Sequence, residues 1–195
     1  SLVLGLTKTG SNFFLMNKGA DTGKIILQKK LKIKKNDNAE SLYNKLVEIS
    51  KNQLNEIIAD LKDDSIVSTP QINGGNFWRK RSKKDGLIDW NRSAEEINRL
   101  IKATTRPHPG AYTYTKRTNL IIYKSRVEEK LSFKGSIGRV LLRKDDKYLI
   151  QCGEGLLWVH DLSPAAALTV GQKLGLNVED EIMAIWKTLG EQRET

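Results

Sequence analysis

The chain has 195 residues, enough for one ordinary domain or two small ones with a packed core. Its 33 Lys and Arg against 23 Asp and Glu leave a net charge of +10, which favours anionic partners such as phosphate esters, nucleotides or RNA. One cysteine, Cys152, excludes an internal disulfide and a Cys-rich zinc site, and two histidines leave little with which to hold a metal. No apolar run reaches the roughly 18 residues of a membrane span, and no signal peptide is visible, so the composition predicts a soluble protein of a reducing cytoplasm.

Taken in order, Ser1-Leu2-Val3-Leu4-Gly5-Leu6 opens on apolar residues and predicts the last turns of a helix closed by Gly5 or Gly10. A start inside a core element predicts that further chain precedes it. Residues 12–16, rich in aromatic and aliphatic side chains, predict a strand; 17–23 is turn chemistry, with Asp21 at the hinge; 25–27 resumes a strand. Over 24–34, Ile25, Leu27, Leu31 and Ile33 alternate with lysines, the pattern of a strand with one face in water. Asp37-Asn38-Ala39-Glu40 has the form of a capping box and precedes Leu42, Leu46, Ile49, Leu54, Ile57, Ile58 and Leu61, whose spacing predicts a helix over 39–62 with that stripe toward a core.

From 63 to 90 the periodicity dissolves into Thr69-Pro70-Gln71, Asn73-Gly74-Gly75-Asn76, Phe77-Trp78-Arg79-Lys80-Arg81 and Lys83-Lys84-Asp85-Gly86, which makes this the best domain boundary in the chain. Ser93-Ala94-Glu95-Glu96 is a second capping box, opening a helix with Ile97, Leu100 and Ile101 that must stop before Pro107. Beyond the Pro107-His108-Pro109-Gly110 turn, short apolar runs at 111–114, 120–123, 136–142, 148–152 and 156–159 predict a small β-barrel or sandwich. The tail over 170–188 reads as mostly helical, broken at Gly175.

Three blocks, in order, give the chain a family resemblance. Met16-Asn17-Lys18-Gly19-Ala20-Asp21-Thr22-Gly23-Lys24-Ile25, with Gly10 before it, resembles the Gly-x-Thr, Met, Asp-x-Gly-x-Ile element of the folate-dependent formyltransferases. Gly86-Leu87-Ile88-Asp89-Trp90, Ser93-Ala94, Ile97, Lys102-Ala103 and Arg106-Pro107-His108-Pro109-Gly110-Ala111 resemble that family's Gly-x-Ile-Asp-Trp to Pro-x-Pro-Gly-Ala signature, with Lys102 where an Arg is usual. Gly135-Ser136-Ile137 and 149–157 are similar to its C-terminal barrel.

The resemblance implies an α/β plus β architecture: the C-terminal part of a Rossmann-like formyltransferase domain over 1–75, a linker and connecting helix over 76–110, and an OB-like β-barrel with a terminal helix over 111–195. It further implies formyl transfer from 10-formyltetrahydrofolate to an amine. In the family an Asn-x-His motif stabilises the oxyanion and moves the proton, while an aspartate raises the imidazole pKa by its charge. Asp21 occupies that aspartate's position. Read locally, a lone Asp at a strand-to-turn junction is first a turn former. Asn17, Lys18, Gly19 and Ala20 match the segment whose backbone meets the pteridine, Gly19 leaving room for close approach.

No Asn-x-His occurs in the chain, and neither His108 nor His160 stands where the family's His would, so both are expected to be structural or exposed. The chain is therefore expected to be the C-terminal portion of a longer enzyme, inactive alone. For the acceptor, Phe77-Trp78-Arg79-Lys80-Arg81 with Asp85-Gly86 resembles the nucleotide-sugar formyltransferases, implying that Arg81 grips a diphosphate and Trp78 faces a base or sugar. The bland reading of that stretch is a basic linker with a packed Trp. Initiator tRNA is the alternative acceptor, favoured by the net charge, and a non-catalytic RNA- or partner-binding module is the third reading.

Overall fold

The computed structural model describes residues 1–72, 78–115, 118–132, 134–165 and 168–175, together with Ile182 and Trp186. Two compact units divide the chain: Ser1–Gly86 with Arg99–Gly110, and Leu87–Asn98 with Ala111–Thr195. The architecture is mixed α/β, with two antiparallel sheets and two helices among the described elements.

In the first unit, β1 (Lys8–Phe14) and β2 (Ile25–Lys32) form an antiparallel hairpin in which Lys8 faces Lys32, Ser11 faces Lys29 and Phe13 faces Leu27. β1 begins four residues before the expected run. Gly10 permits this, because a Cβ there would stand 2.9 Å from the Lys29 carbonyl oxygen. Leu15 closes the ladder by donating its N–H to the Lys24 carbonyl at 2.9 Å, and Met16, expected in the strand, is 93% exposed beyond it. The opening residues form hydrogen-bonded turns, Gly5 N–H to the Leu2 carbonyl and Leu6 N–H to that of Ser1.

The helix α1 (Ala39–Lys62) has the expected extent, but its cap lies one residue further on than the expected Asp37. Asn38 is the N-cap: its Oδ1 accepts from Ser41 N–H at 2.9 Å, and Ser41 Oγ accepts from Asn38 N–H at 3.0 Å. Asp37 is instead buried, accepting from Lys34 N–H at 2.8 Å, from Ser41 Oγ at 3.0 Å and from Lys45 Nζ at 2.6 and 2.7 Å. The face turned to the hairpin carries Leu42, Gln53 and Ile57. Leu54 and Ile58, expected on it, are exposed, each about 100° round the helix from the buried Gln53 and Ile57 that precede them, and Leu61 is exposed in the last turn. Gln53 Nε2 donates to the carbonyls of Ser11 on β1 and Leu27 on β2 at 3.2 and 3.3 Å, the Ser50 and Ser11 hydroxyls share a 2.9 Å bond, and Lys29 pairs with Glu56 at 2.8 Å.

The second unit is built on β3 (Ala111–Tyr114), β4 (Asn119–Glu128), β5 (Val140–Lys144), β6 (Lys147–Gln151) and β7 (Leu156–Ser163), in the order β3-β4-β7-β6-β5. β4 runs past its expected end because its second half pairs with β7 from Ser125–Val159 to Glu128–Leu156. β5 starts later than expected, after Gly138 takes a positive φ of 76°. Leu120, Ile122, Val140, Leu149, Ile150, Leu157 and Val159 fill the core. Trp90 is buried among them and satisfies its indole N–H on Thr113 Oγ1 at 2.9 Å. The turn carrying Trp90 is tied down by Gly153, whose N–H lies 2.8 Å from the Trp90 carbonyl and 3.0 Å from that of Arg92. A Cβ at Gly153 would stand 1.8 Å from the Asn91 oxygen.

α2 (Ala94–Thr104) follows, opened by the expected capping box: Ser93 Oγ donates to Glu96 Oε2 at 2.8 Å, and Glu96 N–H donates to Ser93 Oγ at 3.3 Å. It ends before Pro107, as the proline demands. Of the expected tail helix, residues 170–175 are turn and bridge instead, because Gly171 and Gly175 take positive φ of 89° and 97° and Lys173 bridges to Arg139. Beyond them only Ile182 and Trp186 fall within the described residues, and both are helical.

Burial alone would raise the Asp37 pKa, but the Lys45 ammonium, Lys34 N–H and Ser41 hydroxyl outweigh it and hold the carboxyl below its usual value. A depressed carboxyl stabilises the fold above its unfolded pKa of about 3.9 and loses that contribution as pH falls through the folded value. Replacing Asp37 with Ala strands those donors, so urea unfolding at neutral pH should show a loss of about 2 kcal/mol. The difference from wild type should shrink on acidification below about pH 4.

Candidate functional site

The candidate site is the loop between β1 and β2, and its shape is held from inside and outside. Inside, Asn17 Oδ1 accepts from Gly19 N–H at 3.0 Å and from Thr22 Oγ1 at 2.8 Å, so one side chain folds the first half of the loop. A Cβ on Gly19 would meet Thr22 Oγ1 at 2.4 Å; the bare Cα thus serves packing within the loop, whatever else approaches it. Gly23 is buried, and a Cβ there would lie 1.5 Å from the Leu15 carbonyl oxygen, so only glycine fits where the loop rejoins the ladder. From outside, Gln71 Nε2 donates to the Asp21 carbonyl at 2.8 Å and the Gly23 carbonyl at 2.7 Å. Thr69, two residues before it, exchanges two 2.8 Å backbone hydrogen bonds with Ile25.

Within that frame Asp21 adopts a left-handed φ of 55°, a conformation an aspartate tolerates better than most residues. Asn17, Lys18, Gly19, Ala20 and Asp21 are all exposed. The Asp21 carboxylate makes no hydrogen bond or ion pair among the described residues, and no imidazole of the chain bonds to it. The structure therefore brings together the five residues singled out in the loop as one continuous, exposed surface with an unpartnered acid. Gln71 was not singled out in the sequence, where its only mark is its place after Thr69-Pro70.

The second set of candidates is organised by a different arginine from the one singled out. Arg79, not Arg81, forms the ion pair with Asp85, through Nη2 to Oδ1 and through Nη1 to Oδ2 at 3.1 Å. Asp85 also accepts from Ser82 N–H at 2.6 Å, which folds 82–85 into the short 3-10 turn Lys83–Gly86. The Arg79 guanidinium, followed by Ser82 N–H, holds the Asp85 carboxyl down at about 2. Arg81 is left exposed, with no hydrogen bond or ion pair among the described residues, and Trp78 is 72% exposed. No hydrogen bond or ion pair joins residues 78–86 to the Asp21 loop among the described residues.

The remaining chemically able side chains are His108, His160 and Cys152. His108 is exposed in its proline turn. His160 is half-buried on β7, and burial, reinforced by Lys147, pushes its pKa down. Cys152 is buried, and burial pushes its thiol up to about 12, which leaves it unreactive at neutral pH. Among the described residues no three of His, Cys, Asp and Glu gather as metal ligands, and no helix is long and apolar enough to cross a membrane.

Two family models match the chain: the formyl transferase model over 1–58 and the formyl transferase C-terminal domain model over 80–174. The bifunctional polymyxin resistance protein ArnA of Wigglesworthia glossinidia brevipalpis is 38% identical over 138 residues, which are 65% of this chain and 19% of that protein. The N-formyltransferase of Helicobacter canadensis, in complex with folinic acid and dTDP-3-aminofucose, superposes with a TM-score of 0.63 at 20% identity, covering 82% of this chain and 57% of that one. HypX of Aquifex aeolicus, in complex with tetrahydrofolic acid, gives 0.66 at 20% identity over 81% and 28%. These superpositions show the shared fold, and the chain spans only part of each relative's length.

Gly23→Ala tests the loop's anchorage. The added methyl must displace the Leu15 carbonyl, and the variant should lose about 2 kcal/mol in thermal unfolding, the scale of overpacking a closed site. Amide exchange should quicken first at Leu15, the N–H that closes the hairpin.

Proposed function

The chain belongs to the formyl transferase family, and from that premise we propose that it supplies the aspartate loop and C-terminal region of an enzyme that moves a formyl group from 10-formyltetrahydrofolate to an amine. In that reaction the amine nitrogen bonds to the formyl carbon, the bond from that carbon to the folate N10 breaks, and the proton lost by the amine is returned to N10. Asp21 is the residue assigned to the proton's path. Its negative charge, on a loop fixed by Asn17, Gly23 and Gln71, raises the pKa of an imidazole belonging to the family's Asn-x-His, which the 195 residues do not contain. The observation that carries this reading is an exposed carboxylate without a cation of its own among the described residues, in a chain with 33 Lys and Arg, at the position where the family places its aspartate.

The folate would lie against 17–21. The residues present fit it in that all five are exposed, while the space a Gly19 side chain would take is already filled by Thr22. We assign the acceptor as an amino-deoxysugar carried on a nucleotide diphosphate. Arg81 supports this, being an exposed guanidinium with no ion pair among the described residues, three positions along the chain from the exposed Trp78, residue types suited to a diphosphate and a flat ring. The Helicobacter canadensis relative, with dTDP-3-aminofucose bound, is in keeping with that acceptor class.

One observation favours the second reading, an initiator tRNA acceptor. Lys8 and Lys32 stand directly opposite each other on the hairpin, with Lys30 exposed on the same face, and none has an anionic partner among the described residues. Directly opposed like charges destabilise a ladder, and a phosphate backbone would relieve them.

We also infer that the five-stranded sheet belongs to an OB-like barrel. Residues 171–174 bond to the start of β5, through Gly171 N–H to Val140 and Leu174 N–H to Gly138, while Gly175 N–H reaches the Tyr114 carbonyl at the end of β3. That strip is placed to join the two edge strands. On this reading 1–75 belongs to the catalytic domain, 76–110 links it, 111–195 forms the barrel domain with its terminal helix, and the protein works in the cytoplasm.

The intact protein, expressed from its full reading frame, should turn over 10-formyltetrahydrofolate with one of the two acceptors. Asp21→Asn should lower kcat by at least a hundredfold with unfolding unchanged, the scale of losing proton-transfer assistance. Near-normal turnover in that variant removes the role given to Asp21. Arg81→Ala should raise KM for the nucleotide sugar, whereas a tRNA acceptor predicts that neutralising Lys8, Lys30 and Lys32 together weakens binding and flattens its salt dependence.

A further inference from the structure

We propose that Gln71 is a positioning residue for the Asp21 loop, acting through two hydrogen bonds from a single side-chain nitrogen. The positioning stands on geometry alone; its catalytic consequence rests on the formyl-transfer reading. Both acceptors, the carbonyls of Asp21 and Gly23, lie within 2.8 and 2.7 Å of the amide. A carbonyl oxygen accepts only, so the amide must present nitrogen to them, and both of its hydrogens are used.

The loop's internal bonds, from Asn17 to Gly19 and Thr22, are local and can form in any orientation of the loop relative to the sheet. The bonds from Gln71 reach back 50 and 48 residues, and with them the second half of the loop is held to a strip that is itself paired with β2 through Thr69 and Ile25. Pro70 stands between Thr69 and Gln71, and its ring fixes φ, so little slack separates the paired strip from the amide. The carbonyl of Asp21 is thereby tied while its side chain stays free. A carboxylate that acts on a neighbouring imidazole through charge and a hydrogen bond must be placed to within a fraction of an ångström, and a 1 Å error costs on the order of a hundredfold in rate.

Two replacements remove the donors while keeping the shape: Gln71→Met, apolar and of similar length, and Gln71→Glu, whose carboxylate cannot donate at neutral pH. In the present chain, backbone amide exchange over 15–24 should quicken about tenfold in either variant, the scale of losing two partly exposed hydrogen bonds. Exchange in α1 should stay unchanged. In the intact protein kcat should fall at least tenfold, while KM for the acceptor stays within about twofold, because the anchor acts on the proton path and not on acceptor contacts. Unchanged exchange over 15–24 in a folded variant overturns the positioning itself. Quickened exchange with normal turnover in the Gln71 variants, alongside a dead Asp21→Asn, overturns the catalytic consequence alone. Normal turnover in Asp21→Asn removes the formyl-transfer role of Asp21 and leaves the anchor standing. If Gln71→Met unfolds, as α1 exchange would reveal, Gln71→Glu decides the matter.

Discussion

One buried amide ties the first unit together. Gln53, fully buried on α1, spans the hairpin by donating to a carbonyl on each of its strands, Ser11 on β1 and Leu27 on β2. A side chain bonded to both strands ties the helix to one register of the pair, and a slip of one residue would turn every side chain to the other face. The Ser11–Ser50 and Lys29–Glu56 contacts repeat the same pairing between sheet and helix. The loop from Asn17 to Gly23 is the end of that hairpin, so its place follows from the register. What Asn17, Gly23 and Gln71 add is local: they give a positioned loop one shape.

Much of this was legible from residue order, and the exceptions have a common cause. The extent of α1, the capping box at Ser93 and the stop before Pro107 all arise from interactions within about four residues, which a sequence displays directly. The cap moved from Asp37 to Asn38 because Asp37 is engaged by Lys45, a partner eight residues on that no local rule anticipates. β1 starts at Lys8 because Gly10, a weak strand former by propensity, is required where the ladder brings it against the Lys29 carbonyl. The pairing of Asp85 with Arg79 was not legible in the sequence, because it depends on how the chain turns at Ser82. Gln71 was invisible for the strongest form of this reason, since its partners lie about 50 residues away.

The chemistry of the candidate site is divided between what this chain holds and what it does not. It holds a prefolded loop carrying Asp21, an exposed Arg81 unpaired among the described residues, an exposed Trp78, and a lysine face. Its own histidines are placed otherwise, one exposed in a proline turn and one half-buried on β7 with a depressed pKa, and its cysteine is silenced by burial. The +10 charge suits any of the anionic acceptors and selects none of them, because phosphate attraction is blind to what carries the phosphate. Selection therefore falls to shape and to particular donors.

The most direct test of the aspartate-loop account is hydrogen exchange on the intact protein with and without 5-formyltetrahydrofolate. The account predicts slowed exchange concentrated over 17–22, with the strands of the second unit unaffected. Folate binding that leaves 17–22 unchanged, and protects another part of the chain instead, would contradict it.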